Sequence, residues 1–289
     1  MRSRTKRSTE AGAGSDRVQK VLAAAGVGSR RDVERWIREG RLRVNGEVPA
    51  LGLKIARGDK VTLDGRPVRW RAPAGRAAQV IVYHRSPGDP LDLKEAGSRA
   101  ALHLRLPRSA GRWLAVQSLP PVDGGLEILT DDGAWAQRIS RGVHGLEVGY
   151  LLRMRGPLDD GLVEEFRAST MHENEPLAIL AAVPQYGEGA NHWLDVTARA
   201  TRAALVRHWW AARGFIVSRL IRVRFGPVRL GRDLPRGRSR PMSTEERAEL
   251  EAQADAARAA PADPAAREGA EARAIEPRNS RPTRLANPD

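Results

Sequence analysis

The loop Leu-Pro-Pro-Val-Asp-Gly-Gly, residues 119–125, places a carboxylate between two apolar stretches. Those stretches, residues 114–116 and 126–130, favour two strands, so Asp123 is expected in the tight connection between them. A carboxylate in such a loop is typical of an active-site nucleophile or general acid–base group. Asp-Gly is also typical of an ordinary turn, because both residues adopt turn conformations readily. The segment therefore predicts either an active-site acid at Asp123 or a turn in a loop that has lost its acid.

The elements around this loop alternate between strands and helices over residues 79–242. Residues 79–84, 146–155 and 218–225 carry apolar side chains in the pattern of strands. Residues 158–169 and 201–214 have the spacing of amphipathic helices, and the adjacent Trp209 and Trp210 are expected to pack in a core. This order of elements predicts a mixed-sheet domain of the α+β class.

A smaller module is predicted over residues 16–70. Apolar residues recur at helical spacing over residues 18–25, and Gly26 can close this helix. Ser29 is a candidate N-cap for a second helix, with Asp32 three residues later to complete a capping box. Asn-Gly at residues 45–46 and Asp-Gly at residues 64–65 predict hairpin turns between short strands.

The remaining segments predict a linker and two tails. Residues 71–78, Arg-Ala-Pro-Ala-Gly-Arg-Ala-Ala, have the composition of a linker between the two domains. Residues 1–15 predict a disordered basic tail. Residues 243–289 are rich in Ala, Arg and Glu, and they predict a capped, solvated helix followed by a disordered tail.

The charge of the chain narrows the class of partner. Its 289 residues include 49 Lys and Arg against 35 Asp and Glu, a net charge of +14, which favours a nucleic-acid partner; the alternative is a genome with a preference for Arg codons. The absence of cysteine excludes disulfide frameworks and Cys-ligated zinc. The sequence has no apolar run long enough to predict a membrane span. The basic N-terminus is not followed by the apolar stretch that a secretory signal requires. A cytoplasmic location without a membrane partner is therefore expected.

A basic cluster lies in the smaller module. Its members are candidate contacts to RNA phosphates: Lys20, Arg30, Arg31, Arg41 and Arg43. The alternative is a solvated basic face without a partner. The stretch "AGVGSRRDVERWIREGRLRVNG" (25–46) and the order of its elements resemble the S4 RNA-binding domain. This resemblance implies that the basic cluster contacts structured RNA.

The larger domain resembles the ribosomal pseudouridine synthases that carry an N-terminal S4 domain. "VYHRSPGD" (82–89), "LEILTDDG" (126–133), "GLEVGYLLRMRG" (145–156) and residues 217–243 carry this resemblance. It implies that Tyr150 lines the uracil pocket and that either Arg219 or Arg222 is its basic residue. It also implies that the isomerisation of uridine to pseudouridine needs no cofactor.

The catalytic motif of this family, Gly-Arg-Leu-Asp, is altered in the chain. Counted back without a gap from Gly125 and Leu126, the motif falls on residues 117–120. Pro120 then occupies the position of the family's nucleophilic aspartate, and Ser118 occupies the position of the motif's arginine. Proline offers no carboxylate for the sugar or base, so the turn is the favoured interpretation of Asp123.

Three functions follow as hypotheses. The favoured one is a catalytically degenerate synthase relative that binds structured, ribosomal RNA. The second is an active ribosomal RNA pseudouridine synthase that uses a displaced acid, with Asp123 as the candidate. The third is a ribosome-assembly interaction protein that no longer needs the uridine pocket.

Overall fold

The computed structural model describes residues 16–70, 78–89, 106–109, 112–185, 191–199 and 201–259. The predicted N-terminal tail, residues 71–77 of the predicted linker and residues 260–289 lie outside these ranges. Within them the α-helices are α1 (Val18–Ala24), α2 (Arg30–Arg38), α3 (Gly133–Gly142), α4 (Asp160–Ala168), α5 (Ala203–Ala211) and α6 (Thr244–Ala259). The short strands of the N-terminal module are β1 (Asp16–Arg17), β2 (Leu42–Val44), β3 (Lys54–Ile55), β4 (Val61–Leu63) and β5 (Arg66–Pro67). The later strands are β6 (Val80–Arg85), β7 (Leu114–Ala115), β8 (Gly124–Thr130), β9 (Glu147–Arg155), β10 (Met171–His172), β11 (Glu175–Pro176), β12 (Ala178–Gln185), β13 (Asn191–Arg199), β14 (Ile216–Phe225), β15 (Val228–Arg229) and β16 (Ser239–Pro241).

The N-terminal module has its own apolar core. The members of this core are buried and come from both helices and from the strands β2, β3 and β4: Val18, Val21, Leu22, Val33, Ile37, Leu42, Val44, Ile55 and Val61. The predicted capping box at the start of α2 is confirmed, because Ser29 Oγ accepts from Asp32 N and Asp32 Oδ2 accepts from Ser29 N, both at 3.1 Å. Asn45 and Gly46 have φ of 53° and 89°, as the predicted hairpin turn requires.

The described chain divides into two compact units, and the N-terminal module belongs to the first of them. Unit 1 combines the described residues up to Arg141 with Pro227–Glu251, and unit 2 combines Gly142–Gly226 with the described residues from Ala252. In unit 1, β6 pairs antiparallel with β8 on one side and with β16 on the other, and β7 pairs with β8. Helix α3 follows β8, and Asp132 Oδ1 accepts from the N–H of Ala134 at 2.7 Å, which caps the start of the helix.

Helix α6 corrects one expectation from the sequence. It was predicted to be solvated, but Leu250 and Ala254 are fully buried in the structure. Trp135 Nε1 of α3 donates to Glu251 Oε1 at 2.5 Å. A Cβ at Gly142 would lie 2.2 Å from the carbonyl oxygen of Ala254, so glycine permits the close approach of the helix there. The small and widely spaced apolar residues of α6 gave too weak a pattern to predict this packing.

Unit 2 is an antiparallel sheet covered by two helices. The strand order is β12-β13-β9-β14, with α4 packed against β12 and α5 against β14. Phe166, Trp209, Trp210 and Phe215 form an aromatic cluster with ring centroids 4.7–5.1 Å apart. The predicted core role of the two tryptophans is confirmed, since both are buried. The α+β class is confirmed as well. Among the described helices, none combines the length and the apolar character that a bilayer crossing requires.

Candidate functional site

The loop before β8 contains a tight turn that ends at Asp123. The N–H of Asp123 donates to the carbonyl of Pro120 at 3.0 Å, which closes a four-residue turn centred on Pro121 and Val122. Proline has its φ preset for the second position of such a turn. Asp123 is therefore the last residue of the turn, and its side chain is fully buried, whereas Val122 is 62% exposed.

A buried ion pair holds the chain immediately before this turn. Arg85 at the end of β6 is 2% exposed, and Glu127 in β8 is fully buried. Arg85 Nη1 donates to Glu127 Oε1 at 3.2 Å and to the carbonyl of Leu119 at 2.6 Å. Glu127 Oε1 also accepts from the N–H of Leu119 at 2.8 Å. Both backbone polar groups of Leu119 are thus bound by the pair, which fixes the position of Pro120 next to it.

The loop after β6 supports the same arrangement. Asp89 Oδ2 accepts from the hydroxyl of Tyr83 at 2.8 Å and from the N–H of Ser86 at 3.2 Å. The N–H of Gly88 donates to the carbonyl of Pro121 at 2.8 Å. A Cβ at Gly124 would lie 2.9 Å from the carbonyl oxygen of Arg85, so this glycine allows the two loops to meet. Residues 119–121 are therefore held at several points by hydrogen bonds within the protein.

Unit 2 contains the predicted tyrosine and one of the two predicted arginines on the same side of the sheet. Arg222 in β14 is paired with Tyr150 in β9, and residues paired across antiparallel strands project to the same face. Both side chains are buried. The hydroxyl of Tyr150 donates to the carbonyl of Thr201 at 2.7 Å, and the guanidinium of Arg222 lies 5.2 Å from the ring centroid of Phe225.

Arg219 is not brought to Tyr150. It is paired with Arg153, is partly exposed, and lies three residues before Arg222 in β14. Because side chains alternate along a strand, this odd spacing directs Arg219 to the other face. The geometry thus favours Arg222 over Arg219 as the partner of Tyr150. Asp123 belongs to unit 1, and the Tyr150–Arg222 pair belongs to unit 2.

The five basic residues of the N-terminal module differ in what they contact. All are exposed. Arg30 and Arg31 make no hydrogen bond or ion pair within the described part of the chain, although both lie in the first turn of α2. Cations are disfavoured at that end of a helix, so the helix dipole gives no reason for two arginines there. Their guanidinium groups are available for phosphate oxygens.

Arg41, Arg43 and Lys20 already have partners. Arg41 makes a two-point contact with Asp64, with both N–O distances at 2.7 Å, and donates to Glu39 at 3.1 Å. The hydrogen bond from Arg41 lowers the pKa of Asp64. Arg43 donates to the carbonyl of Gly46 at 3.1 Å, and Lys20 pairs with Asp16 at 2.9 Å. For these three residues, a phosphate has to compete with an existing contact.

Arg85 and Glu127 were not predicted as site residues. The sequence feature that could have revealed them is a single acid, Glu127, in the otherwise apolar run Leu-Glu-Ile-Leu. A charge in a buried strand requires a partner, which points to a basic residue on the neighbouring strand. Within the described residues, no group of three or more His, Asp or Glu side chains is arranged to hold a metal ion.

Comparisons with known proteins assign the family. The S4 domain model matches residues 16–61. The ribosomal large subunit pseudouridine synthase B of Escherichia coli K12 is 36% identical over 226 residues, which cover 77% of this chain and 78% of that protein. The chain belongs to the family of ribosomal pseudouridine synthases that carry an S4 domain.

Two further matches agree with this assignment. The synthase B of Pseudomonas aeruginosa is 38% identical over 234 residues, 80% of this chain, but the match spans only 60% of that longer relative. A crystal structure of a pseudouridylate synthase superposes with a TM-score of 0.53 at 23% identity, covering 81% of this chain and 99% of that one. This structural likeness supports the fold of the synthase family.

Proposed function

We propose that this synthase relative binds structured ribosomal RNA and does not isomerise uridine. The proposal rests on the ungapped alignment of the family's motif with residues 117–120, which puts Pro120 at the position of the nucleophilic aspartate. The observation that supports it is that Leu119, the residue before Pro120, is bound through both its N–H and its carbonyl by the buried Arg85–Glu127 pair. Proline has no oxygen that can attack a sugar or base, or stabilise positive charge at C1′. The loop is also fixed in place by contacts that leave it little freedom to bring another acid to that position.

RNA binding is supported by the N-terminal module. Its S4 match, its net basic charge and the two exposed arginines at the start of α2 are what phosphate recognition requires. Arg30 and Arg31 are the first contacts proposed, because neither has a partner to give up within the described residues. Arg41, Arg43 and Lys20 contribute where the phosphate outcompetes their present partners.

The experiment that tests this proposal is tritium release from ribosomal RNA fragments labelled at C5 of uridine. The parent chain is expected to release none, while a family member with an intact Gly-Arg-Leu-Asp motif provides the positive control. RNA binding is measured in the same samples, so that a lack of turnover is not confused with a lack of binding. Robust release by the parent chain would contradict the proposal.

The second candidate is an active synthase that uses Asp123. The observation in its favour is that the Asp123 carboxylate is fully buried, three residues after Pro120, instead of facing solvent as in most surface turns. Turnover by the parent that disappears in Asp123→Asn would establish this function. A parent chain without turnover and without RNA affinity, but associated with ribosomal particles, would favour the third candidate, a ribosome-assembly interaction protein.

A further inference from the structure

The segment between β15 and β16 carries a concentration of arginines outside the N-terminal module. We name residues 229–238, which read Arg-Leu-Gly-Arg-Asp-Leu-Pro-Arg-Gly-Arg, the arginine loop. Arg229, Arg232, Arg236 and Arg238 are all exposed. None of their guanidinium groups makes a hydrogen bond or an ion pair within the residues that the structure describes.

The arginine loop has a defined backbone conformation. His84 of β6 holds it at three points: its N–H donates to Arg238 O at 2.9 Å, its carbonyl accepts from Gly237 N at 2.7 Å, and its ring Nδ1 donates to Leu234 O at 2.8 Å. Leu234 is buried beneath the loop. The four side chains therefore project from a fixed support, and ordering this backbone costs little entropy on binding.

The charge of the arginine loop is not neutralised locally. Four arginines face one acid, Asp233, within ten residues. Many other arginines of the protein are matched to acids, for example Arg199 with Glu147 and Arg202 with Glu175. Arg240, just after the loop, is likewise paired with Glu246. Like charges held close together repel one another, so an unneutralised group of this kind fits an anionic partner.

The composition of the arginine loop indicates which anionic partner. Unpaired RNA bases are gripped by stacking on aromatic side chains, and the loop has no aromatic residue. Guanidinium groups bind phosphate oxygens by two-point contacts and need no access to the bases. Double-stranded RNA offers its phosphates on the outside while its bases are stacked within. The loop therefore suits the backbone of an RNA duplex better than a single strand.

We propose that the arginine loop is a second RNA-binding surface, separate in sequence from the S4 module, which contacts the phosphates of a duplex without reading its sequence. This inference rests on the proposed RNA-binding function and extends it. His84 is a positioning residue for the loop: it acts through the backbone of residues 234, 237 and 238 and leaves the arginines to contact the RNA.

The test compares two variants that lose the same charge. In the loop variant Arg229, Arg232, Arg236 and Arg238 are replaced by Gln. In the control variant Arg167, Arg199, Arg202 and Arg258, which are each paired with an acid, are replaced by Gln. Affinity for a 20-base-pair RNA duplex of unrelated sequence is measured between 50 and 400 mM KCl, and thermal unfolding confirms that both variants fold.

The expected result is a loss specific to the loop variant. Four lost phosphate contacts should lower the slope of log affinity against log salt by about 3 to 4 units, whereas the control variant should stay close to the parent. Equal slopes for the parent and the loop variant would overturn the inference, and so would equal losses in both variants. If the parent binds neither the duplex nor ribosomal RNA, the proposed function fails instead. His84→Ala keeps all four arginines but removes one support of the loop backbone. It should therefore lower the salt slope less than the loop variant does.

Discussion

Arg85, which lies beside the 119–125 loop, and the pair Arg30 and Arg31 of the S4 module are used in opposite ways. Arg85 is buried, and it binds Glu127 and the backbone of Leu119 within the protein. Arg30 and Arg31 are exposed and make no polar contact within the described residues. The same guanidinium group fixes a loop in one region and is left available for a partner in the other.

This difference concerns whether a charge is satisfied inside the fold. Near Pro120, the buried charges of Arg85 and Glu127 are paired with each other. A phosphate-binding surface needs cations without strong internal partners, and the start of α2 meets that condition. The two regions therefore differ in whether their charges are available to a partner, and the proposed RNA contacts lie at the start of α2 for that reason.

Restoring the motif should have the largest effect. Gln117→Gly, Ser118→Arg, Pro120→Asp and Pro121→Val together recreate the family's catalytic residues, and they remove the proline that restricts residue 120. Catalytic groups of this kind contribute about 10² to 10⁴ in rate, so we expect measurable tritium release from labelled ribosomal RNA. Pro120→Asp alone should give less, because Pro121 and Ser118 remain.

Two outcomes of the restoration experiment would change the comparison. Activity in the multiple variant alone would mean that the protein still accepts a flipped uridine. No activity in any variant, with RNA binding intact, would mean that the pocket has closed. The interaction-protein hypothesis would then be preferred over a degenerate synthase.

Breaking the buried pair should be the next largest effect. Glu127→Ala leaves the Arg85 guanidinium buried without its carboxylate, and such changes cost about 3 to 5 kcal/mol in the free energy of unfolding. Arg85→Met combined with Glu127→Leu should recover only part of this loss: apolar side chains can replace a buried ion pair, but here they leave the N–H and carbonyl of Leu119 without these partners. Urea unfolding of Arg85→Met, Glu127→Leu and the double variant measures the coupling. A loss below about 1 kcal/mol in Glu127→Ala would show that the pair does not hold the loop.

The S4 arginines should give a smaller, specific effect. Arg30→Ala with Arg31→Ala should lower the salt slope of RNA binding by about 1.4 to 1.8 units, the value for two phosphate contacts. Arg41→Ala should change the slope by less than about 0.7 units, the lower value for one phosphate contact, since its guanidinium is already bound to Asp64 and Glu39. Titrations of one ribosomal RNA fragment at several salt concentrations make the comparison. A change of about 0.7 to 0.9 units in Arg41→Ala would show that Arg41 leaves Asp64 to bind RNA.

The sequence predicted the elements well and the use of their side chains less well. The capping box at Ser29 and the Asn45–Gly46 turn depend on neighbouring residues, and such local patterns are readable without the fold. The choice between Arg219 and Arg222 depended on the register of two distant strands, which no local pattern gives. The Arg85–Glu127 pair likewise joins residues 42 positions apart.

The position of Asp123 in its turn could not be predicted from local sequence either. The sequence favoured an ordinary Asp-Gly turn at Asp123, whereas the structure ends the turn at Asp123 and buries its side chain. Two consecutive prolines allow either placement of the turn. The contacts of Arg85, Gly88 and Glu127 with this loop select the observed one.

Arg240 represents an intermediate case, an arginine paired at the surface. Glu246 at the start of α6 accepts two hydrogen bonds from Arg240, at 2.6 and 2.7 Å, and these contacts lower the pKa of Glu246. A carboxylate with a lowered pKa in the folded state stabilises the protein above its unfolded pKa, about 4.5, and loses this contribution as the pH falls through the folded value. Both side chains are partly exposed, so solvent screening limits the contribution to under about 1 kcal/mol.

Glu246→Gln should therefore lower stability slightly at pH 7 and make the free energy of unfolding less dependent on pH below about 4.5. Urea unfolding of parent and variant at pH 7 and at pH 3 measures both effects. An equal loss at the two pH values would show that Arg240 behaves like Arg30 and Arg31, with no electrostatic role inside the fold.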